Sequence, residues 1–130
     1  MSKTKRGTAI IETKKGILLT AINHQYLLPG GGTKKGESRL MAAIREVKEE
    51  TGLNPYYAEV LFRYESKSNL HTVCLIKAKG HAKPQNEVKR IKYYLPGMEI
   101  NMSSATKKIV EKYFGMKSSF WLLLVCSWGF

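Results

Sequence analysis

Residues Gly30–Leu53 read GGGTKKGESRLMAAIREVKEETGL. Glycines give way to a segment of helical period, in which Leu40, Ala43, Ile44 and Val47 recur at i, i+3, i+4 and i+7. Ser38 suits an N-cap and Gly52 a C′ position, so a helix is expected over Arg39–Thr51. Glu46, Glu49 and Glu50 then share one face, within an arc of about 100°. Like charges at this spacing repel, and something cationic should compensate. A hard divalent ion with oxygen ligands fits best, magnesium above all, since it accepts carboxylates together with water and phosphate. The plainer reading is a solvated acidic face among surface lysines. Two neighbours weigh against it. The loop Gly30–Gly32 can bring bare backbone to a phosphate or a metal, and Arg45 can fix a carboxylate through a forked hydrogen-bond pair.

Upstream, Thr8–Thr13 reads as a strand, Lys14–Gly16 as a turn and Ile17–Ala21 as the returning strand of a hairpin. Asn23–His24 marks another turn, and Tyr26–Leu28 a short strand ended by Pro29. Downstream, Pro55 is expected to break the chain. Ala58–Glu65 and Leu70–Lys79 read as strands joined at Ser66–Asn69, and Gly80–Asn86 as a loop. Val88–Leu95 reads as a strand stopped by Pro96–Gly97. Ser103 or Ser104 can cap a second helix over Ala105–Phe114, ended by Gly115, with Ile109, Val110, Tyr113 and Phe114 on its apolar face. Strands before and after a helix in mixed order predict an α/β fold with a mixed β-sheet.

The 130 residues suffice for one domain with a real core. A net charge of +12 favours polyanions such as nucleotides, nucleic acid or an anionic membrane surface, although lysine-rich surfaces are common. Four of the ten acids, Glu37, Glu46, Glu49 and Glu50, nevertheless fall within fourteen residues. Two cysteines are too few for a disulfide framework, and Cys74 reads as core. No secretory signal follows Met1–Arg6, so a cytoplasmic location is expected. The tail Phe120–Phe130 is uncharged and shorter than the roughly 20 apolar residues of a membrane-spanning helix. It reads as an element packed on the domain, an oligomer contact such as a homodimer, or a membrane-surface anchor.

The spacing from Gly31 through Glu37 to Arg45-Glu46-Val47-Lys48-Glu49-Glu50-Thr51-Gly52-Leu53 resembles the box of the Nudix hydrolase family (MutT-like), G-x5-E-x7-R-E-U-x-E-E-x-G-U with U aliphatic. Every specified position is filled, which at a random start would occur on the order of 10⁻⁹ of the time. The resemblance spans about Thr8 to Phe114 and implies a Nudix-type α/β/α sandwich, with the box helix and a C-terminal helix packed on a mixed sheet. Residues 1–117 would form the domain and 118–130 the tail.

By that resemblance Glu46, Glu49 and Glu50 are the metal carboxylates, with the Gly30 carbonyl as an added ligand. Arg45 would orient a glutamate, Glu37 would fix the loop, and Gly31 and Gly52 would permit tight turns. The catalytic base would be Glu46 or Glu49, or else Glu87 beyond the box, which reads equally well as a surface acid. The implied cofactor is Mg²⁺, with Mn²⁺ as a substitute, and the implied reaction is water attack on a diphosphate bond of a nucleotide-linked substrate. An RNA 5′-end pyrophosphohydrolase and a non-catalytic nucleotide- or RNA-binding module are the alternatives. Arg6, Lys34, Lys35 and Arg63 are weaker candidates to hold phosphates, and Tyr26, Phe62, Tyr64 and Tyr93 to stack on a base. His24, His71 and His81 form no set.

Overall fold

The computed structural model describes the backbone of residues 2–127 and the side chains of residues 2–118. Two sheets share the core. In the first, β1 (Thr4–Ile10) runs parallel to β7 (Asn69–Lys79) and antiparallel to β5 (Gly30–Gly32), while β6 (Asn54–Glu65) lies antiparallel to β7 at the edge. In the second, β3 (Gly16–Ala21) pairs antiparallel with β2 (Glu12–Thr13), β4 (Tyr26–Leu27) and β8 (Arg90–Tyr94). The helices are α1 (Arg39–Thr51) and α2 (Ser104–Ser127).

The strand period of two sorts side chains into two cores. Ala9, Ile11, Leu18, Cys74 and Ile76 face one side, where Ala43 and Val47 of α1 cover them. Ile10, Ile17, Leu19 and Val73 face the other, against Ile109, Val110 and Tyr113 of α2. Both faces of β1, β3 and β7 are thus buried, which gives the expected α/β/α layering. Gly7 lets β1 pass against the helix backbone, because a Cβ there would strike the Arg39 carbonyl and the Ala43 amide.

Several boundaries differ from expectation, and the glycine segment expected as a loop is strand β5, paired antiparallel with β1. The first strand is split: Ile11 separates β1 from β2, so one run of sequence serves both sheets. Pro55 lies inside β6 instead of breaking the chain. Its missing N–H is tolerated because β6 is an edge strand and Pro55 stands near its start. Gly115 does not end the second helix, which continues to Ser127. A helical glycine costs only about 1 kcal/mol relative to alanine, and no proline follows. Among the described residues no helix is long and apolar enough to cross a membrane. How the tail side chains pack lies outside the described residues.

Candidate active site

The box helix begins and ends as its sequence dictates. Ser38 Oγ accepts the Met41 amide at 3.1 Å, and Gly52 adopts the left-handed conformation at φ 72° while donating to the Lys48 carbonyl at 3.0 Å. Glu46, Glu49 and Glu50 emerge beside the buried stripe of Ala43 and Val47, with Glu50 nearest to it, since seven residues bring it almost to the bearing of Ala43. Together with Asn86 and Glu87 they line an open cleft of about 560 Å³. A smaller cavity of about 240 Å³ adjoins it, bounded by Gly30, Gly31, Glu46, Glu50, Glu87 and Arg6 among others.

Arg45 organises the loop side. Its Nε and Nη2 form a fork on Glu37, at 2.8 and 3.0 Å, and Nη2 also reaches the Gly32 carbonyl at 3.1 Å. Nη1 donates to Glu46 Oε1 at 2.9 Å and to Glu49 Oε2 at 3.1 Å. Glu37 stands outside the cleft and accepts the Lys34 amide at 3.0 Å, which closes the loop ahead of the helix. The Arg45 hydrogen bonds pull the Glu37 carboxyl down to about 2, with help from the Lys34 amide. Gly31 gives Glu46 its place, since a Cβ there would lie 2.6 Å from Glu46 Oε1.

Glu50 is held differently. Its Oε1 accepts the Gly30 N–H at 2.8 Å, so it is the amide of Gly30 that engages a box carboxylate here. Burial pushes the Glu50 carboxyl up to about 7; Glu46 and Glu49 add to the rise, while the Gly30 amide and the Arg6 guanidinium oppose it.

The position of Glu87 follows from helix-end chemistry. The last carbonyls of a helix lack intrahelical partners. Here the following loop supplies them: Lys83 N–H donates to Thr51 O, Gln85 N–H to Glu50 O, and Asn86 Nδ2 to Glu49 O at 2.8 Å. Asn86 adopts φ 55°, a left-handed conformation that asparagine tolerates better than most residues. These bonds bring exposed Glu87 into the lining of the same cleft as the box carboxylates.

Among the described residues, no three acidic, histidine or cysteine side chains are gathered closely enough to cage an ion as they stand. Glu46 and Glu49 lean on Arg45, and Glu50 on Gly30. The donor set still suits magnesium, which binds through one or two carboxylates and keeps water and phosphate for its other positions. The cleft supplies hard oxygen donors on an open surface and no thiolate or imidazole.

The weaker candidates divide. Tyr26 is buried and Phe62 and Tyr93 pack against the cores. Lys34 and Lys35 are exposed and line neither cavity of the carboxylate site, and Arg63 lies beside Ser38 and Arg39 away from it. Arg6 does border the site, and Tyr64 and His71 line an adjoining cavity.

A NUDIX domain model matches residues 2–113, and the chain belongs to the Nudix family. Its hydrolases use divalent metals and act on nucleotide-linked substrates. A protein from Chromobacterium violaceum ascribed to the nudix hydrolase family superposes with a TM-score of 0.84 at 38% identity, covering 90% of this chain and 81% of that one. An RNA pyrophosphohydrolase from Roseobacter denitrificans is 53% identical over 40 residues, which are 31% of this chain and 25% of the relative's own length. A bifunctional NMN adenylyltransferase/ADP ribose pyrophosphatase from Francisella tularensis, crystallised with AMP and a Mn ion, has a TM-score of 0.70 at 18% identity over 88% of this chain and 42% of its own, a likeness of fold.

Proposed function

We propose that this chain hydrolyses a diphosphate bond in a nucleoside di- or triphosphate type of substrate, with magnesium held by Glu46, Glu49 and Glu50 and by the Gly30 carbonyl. The observation that carries this reading is the cleft in which those carboxylates meet Glu87 beside the glycine strand β5. A divalent ion there would neutralise the phosphate oxygens and acidify water. The chain's own groups have separate tasks. Arg45 orients Glu46 and Glu49 through Nη1 and ties them to the loop through Glu37. Gly31 leaves room for Glu46, and Gly52 ends the helix so that the Asn86 loop can dock. Glu46, Glu49 and Glu87 are the side chains that can take a proton from the attacking water. Residues 1–117 are the catalytic unit in this reading, and the cytoplasm is its compartment.

A second substrate class, the triphosphorylated 5′ end of RNA, is favoured by the net charge of +12 and by the matched segment of an RNA pyrophosphohydrolase. Incubation with magnesium and a panel of nucleotides and 5′-triphosphorylated RNA, with orthophosphate and pyrophosphate measured, separates the two. Glu49→Gln should lower turnover at least about a hundredfold, as expected for loss of a group acting at the reacting phosphate, while the far-UV spectrum stays unchanged. An active Glu49→Gln enzyme overturns the assignment. Tight nucleotide binding with no turnover on any substrate indicates a non-catalytic binding module.

A further inference from the structure

Beside the carboxylate site lies a cavity of about 510 Å³ whose walls include Arg6, Tyr64, Lys67, His71, Ser103 and Lys108. Three residues line both this cavity and the smaller carboxylate-lined one: Arg6, Leu27 and Leu28. Arg6 alone of these is polar. It stands where a molecule spanning the two spaces must pass.

The guanidinium is held by neutral acceptors. Nε donates to Thr8 Oγ1 at 3.3 Å and Nη2 to the Leu28 carbonyl at 3.0 Å. Behind it runs a polar chain through the sheet: Thr8 Oγ1 meets His71 Nδ1 at 2.8 Å, and His71 Nε2 meets Ser66 Oγ at 3.4 Å. Ser66 Oγ in turn donates to the Asn69 carbonyl at 3.3 Å. Since Arg6 donates into Thr8 and Ser66 spends its proton on Asn69, one direction satisfies every member. The Thr8 hydroxyl donates to Nδ1, and His71 carries its proton on Nε2. Burial, reinforced by Arg6, holds His71 down to about 4, so the chain bears no second cation.

Arg6 makes no hydrogen bond to Glu46 or Glu50; burial lowers its pKa, and Glu50 and Glu46 offset this only in part, from a distance. A simple counter-ion would bond to one of them. Its Nη1 has no partner among the described residues, and since no fully buried side-chain nitrogen or oxygen there lacks one, Nη1 is not fully closed off from solvent.

We propose that Arg6 is a substrate-binding residue: Nη1 grips an oxygen of the diphosphate at the junction, and the 510 Å³ cavity takes the group that the diphosphate carries. Thr8 and His71 are positioning residues, which act by fixing the plane of the guanidinium. The proposal rests on the hydrolase reading only for its kinetic arm.

Two measurements test it: steady-state kinetics with magnesium and a turned-over nucleotide, and calorimetric binding of a methylene-bridged nucleoside diphosphate. Arg6→Met should raise both KM and Kd roughly ten- to hundredfold, the range expected for one charge-assisted hydrogen bond. Arg6→Lys should recover part of this, and Thr8→Val should raise both by a smaller factor. Unchanged KM and Kd in Arg6→Met, with Glu49→Gln inactive, overturn the role of Arg6 and leave the hydrolase reading standing. If the natural protein turns over nothing, the Kd series still decides: a raised Kd supports Arg6 while the hydrolase reading falls, and an unchanged Kd or no binding at all overturns it. Should Arg6→Met fail to fold, an unchanged Kd in both Arg6→Lys and Thr8→Val does the same.

Discussion

Glu50 carries the site's main electrostatic burden. Most of its carboxylate surface is withdrawn from water, two like charges stand nearby, and one amide and one guanidinium offset them in part. Its pKa rises from the ordinary 4.5 to about 7 in the fold, so the folded state resists its ionisation. The stabilisation from keeping Glu50 protonated is fully present below pH 4.5 and is lost as pH rises through about 7. Glu50→Gln keeps the acceptor for Gly30 and removes the charge. In chelator-treated protein at pH 8 it should raise stability, by on the order of 2 kcal/mol given about 1.4 kcal/mol per pKa unit and some solvent screening. The gain should vanish near pH 4.5. Urea unfolding at the two pH values checks this, and a destabilised Glu50→Gln protein at pH 8 would contradict the burial argument. The same substitution should weaken binding of magnesium.

At the scale of elements, α1 is positioned by one interaction set and the loop after Gly80 by another. The helix is fixed by Gly7 beneath it and by the burial of Ala43 and Val47. The loop is fixed by the helix's last carbonyls, with Asn86 supplying both a side-chain donor and a left-handed backbone. Asn86→Ala removes both. It should cost about 1 kcal/mol of stability, yet speed amide exchange across residues 80–89 and lower kcat several-fold if Glu87 acts at the phosphate. Hydrogen exchange by mass spectrometry reads the loop directly; unchanged protection there would mean that other contacts hold it. Helix α1 was legible because caps and period are local. Helix α2 was legible only at its start, since a lone glycine cannot stop a helix against continued propensity.

Across the whole molecule, a net charge of +12 surrounds an acid-lined cleft. Long-range attraction for a polyanionic substrate is an on-rate effect, screened over about 10 Å at 0.1 M salt. For the proposed nucleotide substrate, kcat/KM should fall several-fold between 50 and 300 mM NaCl with kcat nearly constant. A kcat/KM independent of salt would show that the surface lysines play no part in capture. Element order alone predicted a mixed sheet with helices on it, and the α/β/α layering came from the family resemblance; apolar stretches such as Ile17–Leu19 and Val73–Ile76 fit strands buried on both faces. The split of one run between two sheets was not foreseeable, because no residue type marks Ile11 as a crossing point.

The order of residues alone determined the family, the box helix, its acidic cluster and the glycine segment beside it, though not that this segment is a strand. Those features depend on spacings within 23 residues, and helical geometry converts such spacings into shared faces without help from the rest of the chain. Only the tertiary structure decided that Glu87 faces the box and that Arg6 stands between two cavities, backed by a histidine 63 residues away from its partner Thr8. Strand register and the docking of a loop on helix-end carbonyls made those choices, and such long-range pairings leave no periodic trace in a single sequence.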